Sequence, residues 1–154
     1  MSSKHEVPPS KKIIYTIGTS DRLPDEFINI LRHYNILQVV DVRRFPTSKF
    51  MHFRQENLEK LLIENGIQYY WLGLQLGGYR SGGYQKYMET KEFREGISKL
   101  LEFALKFPTV IMCAERLPWR CHRRYVGDYL VSKGYKIVHI IDEKRIWEPK
   151  SIKR

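Results

Sequence analysis

The chain has 154 residues, 42% of them hydrophobic and 29% charged, the size and balance of one globular domain with its own core. No apolar run reaches the roughly 20 residues of a membrane helix, Met1 to Lys12 holds no apolar signal core, and two cysteines are too few for a disulfide framework, so a reduced, cytoplasmic protein is expected. Lys and Arg number 27 against 17 Asp and Glu, a formal net charge of +10, which favours polyanionic partners over a membrane; the plain alternative is a basic protein with no nucleic-acid role.

Residues 1–12 read as a flexible basic tail, 13–148 as one α/β domain and 149–154 as a second basic tail. Ile13 to Ile17 is a β-rich run stopping at Gly18, which predicts a strand. Pro24 suits the first turn of a helix, with Phe27, Ile28, Leu31 and Tyr34 at helical spacing. Gln38 to Val42 is a second strand. Asn57 to Asn65 is a helix ended by Gly66, and Ile67 to Leu72 a third strand. Gly73 to Gly83 is glycine-rich, the composition of a binding loop. Thr90 caps a helix that buries Phe93, Ile97, Leu100, Leu101 and Ala104. Thr109 to Cys113 is a fourth strand. Pro118 is expected to open a helix carrying Tyr125, Val126, Tyr129 and Leu130, closed by Gly134. Lys136 to Ile141 is a fifth strand.

This alternation predicts a mostly parallel sheet of about five strands with helices on both faces. Ligands of such sheets bind outside the carboxyl ends of the strands. Four such ends carry unusual residues: Gly18-Thr19-Ser20, Asp41-Val42-Arg43-Arg44, Gly77-Gly78-Tyr79-Arg80 and Cys113-Ala114-Glu115-Arg116. Parallel topology brings all four to one side of the domain.

Asp41 and Glu115 are the candidate catalytic carboxylates, each able to act as or orient a general base. Asp41 paired structurally with Arg43 is the competing reading. Gly18, Thr19 and Ser20 resemble a small phosphate cradle, although a plain turn explains them equally and the P-loop ending is absent. Arg43, Arg44, Ser48, Lys49, Arg80 and Arg116 are candidate phosphate ligands. So are Arg120, His122, Arg123 and Arg124, where cations at a helix start oppose the macrodipole unless an anion binds there. Tyr79 and Tyr84 are candidate base-stacking residues, whereas Tyr69 and Trp71 are expected to pack. Cys113, Cys121 and His122 invite a zinc reading, but the paired spacing and a fourth ligand are lacking, so no metal and no cofactor is expected. Cys121 near a helix start could be a nucleophile; Cys113 reads as a small buried hydrophobe.

The segments T-I-G-T-S (16–20), V-V-D-V-R-R-F-P-T-S (39–48), L-G-G-Y-R (76–80), C-A-E-x-x-x-x-x-C-H-R (113–123) and V-H-I (138–140) occur in this order. The set resembles the family called domain of unknown function 488, over Ile13 to about Ile141. Thr19 departs from the pattern, since many members carry His there. The resemblance to archaeal-type members implies DNA repair: a DNA glycosylase for oxidised pyrimidines such as 5-hydroxyuracil. Damaged single- or double-stranded DNA is the expected partner, and a homodimer is left open by the sequence. Such an enzyme must flip the base, stabilise a cationic sugar and activate water. The competing functions are a non-catalytic nucleic-acid-binding module, an enzyme acting on a small phosphorylated metabolite or nucleotide, and a rhodanese-like sulfur carrier using Cys121.

Overall fold

The computed structural model describes residues 12–149; the two predicted basic tails lie outside them, apart from Lys12 and Pro149. Five strands run parallel: β1 (Ile13–Gly18), β2 (Gln38–Asp41), β3 (Gln68–Trp71), β4 (Thr109–Cys113) and β5 (Lys136–Ile140). A two-residue strand, β6 (Ile146–Trp147), adds antiparallel to β5 and completes the order β3-β2-β4-β1-β5-β6. The chain therefore steps outward from β1 to β3, then returns through β4 to β5. With right-handed crossovers, that reversal puts the early and late helices on opposite faces.

The cores show this division. On one face, α1 (Pro24–His33) and α2 (Gln55–Glu64) bury Phe27, Leu31, Leu58 and Leu62 against Ile17, Val39, Val110 and Met112. On the other, α5 (Lys91–Lys106) and α6 (Arg123–Ser132) bury Phe93, Leu100, Val126 and Leu130 against Ile14, Val40, Ile111 and Ile137. Alternate residues of each strand serve alternate faces, and both faces are apolar, as a doubly covered parallel sheet requires.

Local chemistry sets the ends of the elements. Pro24 fills the first turn of α1, Asp25 and Glu26 complement its positive end, and Arg32 and His33 its negative end. The Thr90 hydroxyl accepts from the Phe93 N–H at the start of α5. The glycine-rich stretch and its flank hold two single-turn helices, α3 (Gly73–Leu76) and α4 (Tyr84–Tyr87). Pro118 does not open α6. Pro118–Arg120 is a separate 3-10 turn, closed by the Cys121 N–H on the Pro118 carbonyl; Cys121 is extended, and α6 begins at Arg123. The loop from Ala114 to His122 is thus long enough to form one wall of a cleft.

Candidate anion-binding cleft

The register places Gly18 beside Cys113 and Asp41 beside Met112, so three carboxyl ends lie level around β4. Chains leaving β1 and β4 go to opposite faces, which opens a crevice between them. A cleft of about 750 Å³ occupies it, within the usual range of ligand sites. Its cations are Arg43, Arg44, Arg116 and Arg120, against one carboxylate, Glu115. Phe45 and Tyr79 flank it with their ring centroids 6.1 Å apart, Tyr79 being 86% exposed. Cys113, Cys121 and His122 complete the wall nearest the sheet.

Gly18 makes the crossing of β1 and the β4 loop possible. A Cβ there would overlap the Glu115 carbonyl, and the two chains are stitched by the Thr19 N–H on the Cys113 carbonyl (2.8 Å) and the Ser20 N–H on the Ala114 carbonyl (2.9 Å). Ser20, at φ 51°, lines the cleft. Thr19 is buried. The three residues therefore form a backbone junction in which only Ser20 meets the cleft.

Asp41 has a different place from the one its sequence position suggested. It is fully buried and absent from the cleft lining. Arg43 grips both carboxylate oxygens, Nε donating to Oδ1 at 3.0 Å and Nη2 to Oδ2 at 2.8 Å. The Arg43 N–H adds a bond to Oδ1, and the Tyr69 hydroxyl donates to Oδ2 at 2.6 Å. Burial, followed by the adjacent Asp41 charge, pushes the Tyr69 hydroxyl well above its ordinary value, which keeps it a donor. With four donors on two oxygens, Asp41 has no lone pair placed to take a substrate proton. Arg43 is equally committed: its Nη1 donates to the carbonyls of Phe53 (2.6 Å) and Thr47 (3.3 Å), fastening the loop after β2. Asp41 and Arg43 are thus positioning residues for that loop, rather than a general base and a phosphate ligand.

Arg123 is likewise spent inside. It is fully buried and donates to Thr16 Oγ1 (3.0 Å), to Cys113 Sγ (2.7 Å) and to the carbonyls of Glu115 and Arg116. It holds the loop that carries Glu115 and Arg116 and does not line the cleft. Thr16 also bonds His139 Nδ1 at 2.6 Å. Burial and then the Arg123 charge hold His139 down at about 3. His122 is lowered to about 4, first by burial. Its Nε2 lies 3.1 Å from the Val42 carbonyl, so in the neutral ring Nε2 carries the proton and Nδ1 is left as an acceptor, 3.6 Å from Cys121 Sγ.

Several further candidates lie away from the cleft. Arg80 stacks over the Tyr87 ring at 3.8 Å and bonds the Gly77 carbonyl. Arg124 lies over Tyr125, and Lys49 over Phe50. The Ser48 hydroxyl accepts from the Phe50 N–H. Tyr84 bonds the Leu76 carbonyl and stacks on Tyr125, with His122 beside it, so it backs the wall instead of meeting a base. Trp71 is 38% exposed and its indole N–H bonds the Arg43 carbonyl. Of the predicted set the structure brings together Ser20, Arg43, Arg44, Tyr79, Glu115, Arg116, Arg120 and His122. Sequence reasoning passed over Phe45, and it weighed Cys113 as a zinc ligand but preferred a packing role. The signals were present: an aromatic following two arginines, and a thiol ending the central strand.

Fold and site define a doubly wound α/β domain with an arginine-lined cleft at the switch point of its parallel sheet. The family model described as Domain of unknown function DUF488 matches residues 24–83 and 79–130, and the chain belongs to that family. No curated protein and no solved structure is significantly similar to it. No described helix is long and apolar enough to cross a membrane.

Proposed function

We propose that the protein processes DNA as a glycosylase that excises oxidised pyrimidines such as 5-hydroxyuracil, as its resemblance to archaeal-type members implies. The observation that carries the reading is the single carboxylate, Glu115, among the four arginines of a cleft flanked by the Phe45 and Tyr79 rings. An extruded base would rest on those rings. Arg44, Arg116 and Arg120 would take the flanking phosphates. Arg120 makes no side-chain hydrogen bond or ion pair with another described residue; Arg44 donates to the Tyr79 carbonyl at 2.9 Å and Arg116 lies 3.9 Å from Asp142. Glu115 is exposed and accepts a single hydrogen bond, 3.4 Å long, from the Leu117 N–H. It is therefore available to activate water and to stabilise positive charge on the sugar as the glycosidic bond breaks.

The test is a panel of oligonucleotides carrying 5-hydroxyuracil, single-stranded and duplex, treated with alkali after incubation to cut at abasic sites. Wild type is expected to give strand breaks at the lesion, and Glu115→Gln to bind the same DNA while releasing base about 100-fold more slowly. Absence of base release from every substrate would refute the reading. Salt-dependent DNA binding would then leave a binding module; absence of DNA binding would leave an enzyme of a small phosphorylated metabolite, which the cleft volume also accommodates.

A further inference from the structure

Arg123 poses a problem of charge that the glycosylase reading does not use. A buried guanidinium is costly unless an anion faces it. Among the described residues, no Asp or Glu carboxylate forms an ion pair with it. Its side-chain partners are a hydroxyl, two carbonyls and the Cys113 sulfur. Cys113 is the one member of that set able to become an anion near neutral pH.

The second cysteine shares Arg123 with the first. Cys121 Sγ receives the Arg123 backbone N–H at 3.5 Å and lies near the unprotonated Nδ1 of His122. Both residues line the cleft and both are unbridged, Cys121 half-buried and Cys113 only 2% exposed beneath it. We propose that Cys113 and Cys121 form a redox-active dithiol at the floor of the cleft, with Cys113 as nucleophile and Cys121 as resolving thiol, exchanging with small anionic disulfides. Burial raises the Cys113 thiol, but the neighbouring Cys121 thiol and the Arg123 guanidinium together outweigh burial and bring it below the ordinary value. Cys121 is raised, first by the neighbouring Cys113 thiol and then by burial, and stays protonated.

The reaction balances without any group beyond the named disulfide. The Cys113 thiolate attacks one sulfur of the small disulfide; the Cys113–sulfur bond forms, the disulfide bond breaks, and one small thiolate leaves. Cys121 then attacks the Cys113 sulfur, giving the Cys113–Cys121 disulfide and expelling the second small thiolate. The Cys121 proton passes through His122 Nδ1 to the departing thiolate. The two cysteines are oxidised and the small disulfide is reduced to two thiols. Arg44, Arg116 and Arg120 raise the local concentration of an anionic disulfide, and salt weakens that attraction.

The experiment uses the wild-type full chain and oxidised glutathione as the probe. Thiols are counted after denaturation, the intact mass is taken without reductant, and the crosslinked peptide is mapped. The expected result is loss of both thiols and of two hydrogens per molecule, a monomer on a non-reducing gel, and a Cys113–Cys121 peptide. Two thiols that persist, a bond between molecules, or a reaction that stops at a glutathione adduct would overturn the proposal. Alkylation of reduced wild type, read at each cysteine as pH rises, is the second measurement. Cys113 is expected to show a midpoint below the roughly 8.5 of an ordinary thiol; a midpoint at or above it overturns the nucleophile assignment. These readouts follow sulfur alone, so they stand apart from base release.

Discussion

Asp41→Asn and Glu115→Gln are each a charge-removing change of nearly constant shape, yet the structure assigns them opposite consequences. Asp41 is fully buried and its two oxygens receive two guanidinium bonds, a backbone bond and the Tyr69 hydroxyl. The amide of Asn puts a donor against at least one of these donors and leaves the Arg43 charge, itself only 5% exposed, without its counterion. Breaking a buried pair by removing one partner costs about 3–5 kcal/mol. At about 2–4 °C per kcal/mol for a domain of this size, the melting temperature should fall by about 6–20 °C. Glu115 has an exposed side chain with a single long hydrogen bond, so its loss should change stability by no more than about 0.5 kcal/mol. Turnover should behave the other way. Glu115→Gln loses about 100-fold at any temperature where it is folded, whereas Asp41→Asn retains activity well below its own midpoint and loses it in step with unfolding. Calorimetry or circular dichroism melts beside base-release rates decide the matter. An Asp41→Asn protein melting within about 2 °C of wild type would refute the buried-pair argument, and a Glu115→Gln enzyme at the wild-type rate would refute the catalytic assignment.

Arg44→Ala, Arg116→Ala and Arg120→Ala should each weaken DNA binding and reduce the slope of log affinity against log salt by about 1, measured by fluorescence anisotropy; Arg123→Ala should instead lower the melting temperature, since its guanidinium is used inside. Stability should fall with acid: His122 and His139 are held to about 4 and 3 in the fold against an ordinary 6.5, so the unfolded chain binds more protons, stability is full above about pH 6.5, and it is lost as pH falls toward these values. His122 alone contributes about 3 kcal/mol of this dependence, and urea midpoints that stay level from about pH 7 to pH 4.5 would contradict it. Gly18→Ala should unfold the protein or displace the Glu115 loop, because the new methyl overlaps the Glu115 carbonyl; an unchanged melt and unchanged activity would show that the crossing is looser than drawn.

The sequence by itself determined the five parallel strands, the main helices and the edge of the sheet at which the cleft opens. Those features are local: apolar runs of strand length, apolar stripes at helical spacing, and glycine or proline at the ends are read within a few residues. It also carries an excess of cations, a net charge of +10, that no folding arrangement removes. Only the tertiary structure decided which charges remain for a ligand. Arg43, Arg44, Arg120, Arg123 and Arg124 look alike in a sequence, yet Arg43 reaches the cleft already spent on Asp41, Arg123 is spent on Thr16 and Cys113, and Arg124 lies over Tyr125, while Arg44 and Arg120 meet the cleft without a carboxylate partner among the described residues. Thr16 is 107 positions from Arg123, and Tyr69 is 28 from Asp41. Whether an ion is stabilised by an internal partner or faces water depends on such distant neighbours and on burial, because desolvation and charge pairing act through space. The placing of Cys113 and Cys121 along one cleft has the same origin: a 3-10 turn at Pro118–Arg120 and an extended Cys121 interrupt the helix between them. Pro118 and the apolar spacing after it predict one continuous helix there, because neither registers the turn that packing imposes.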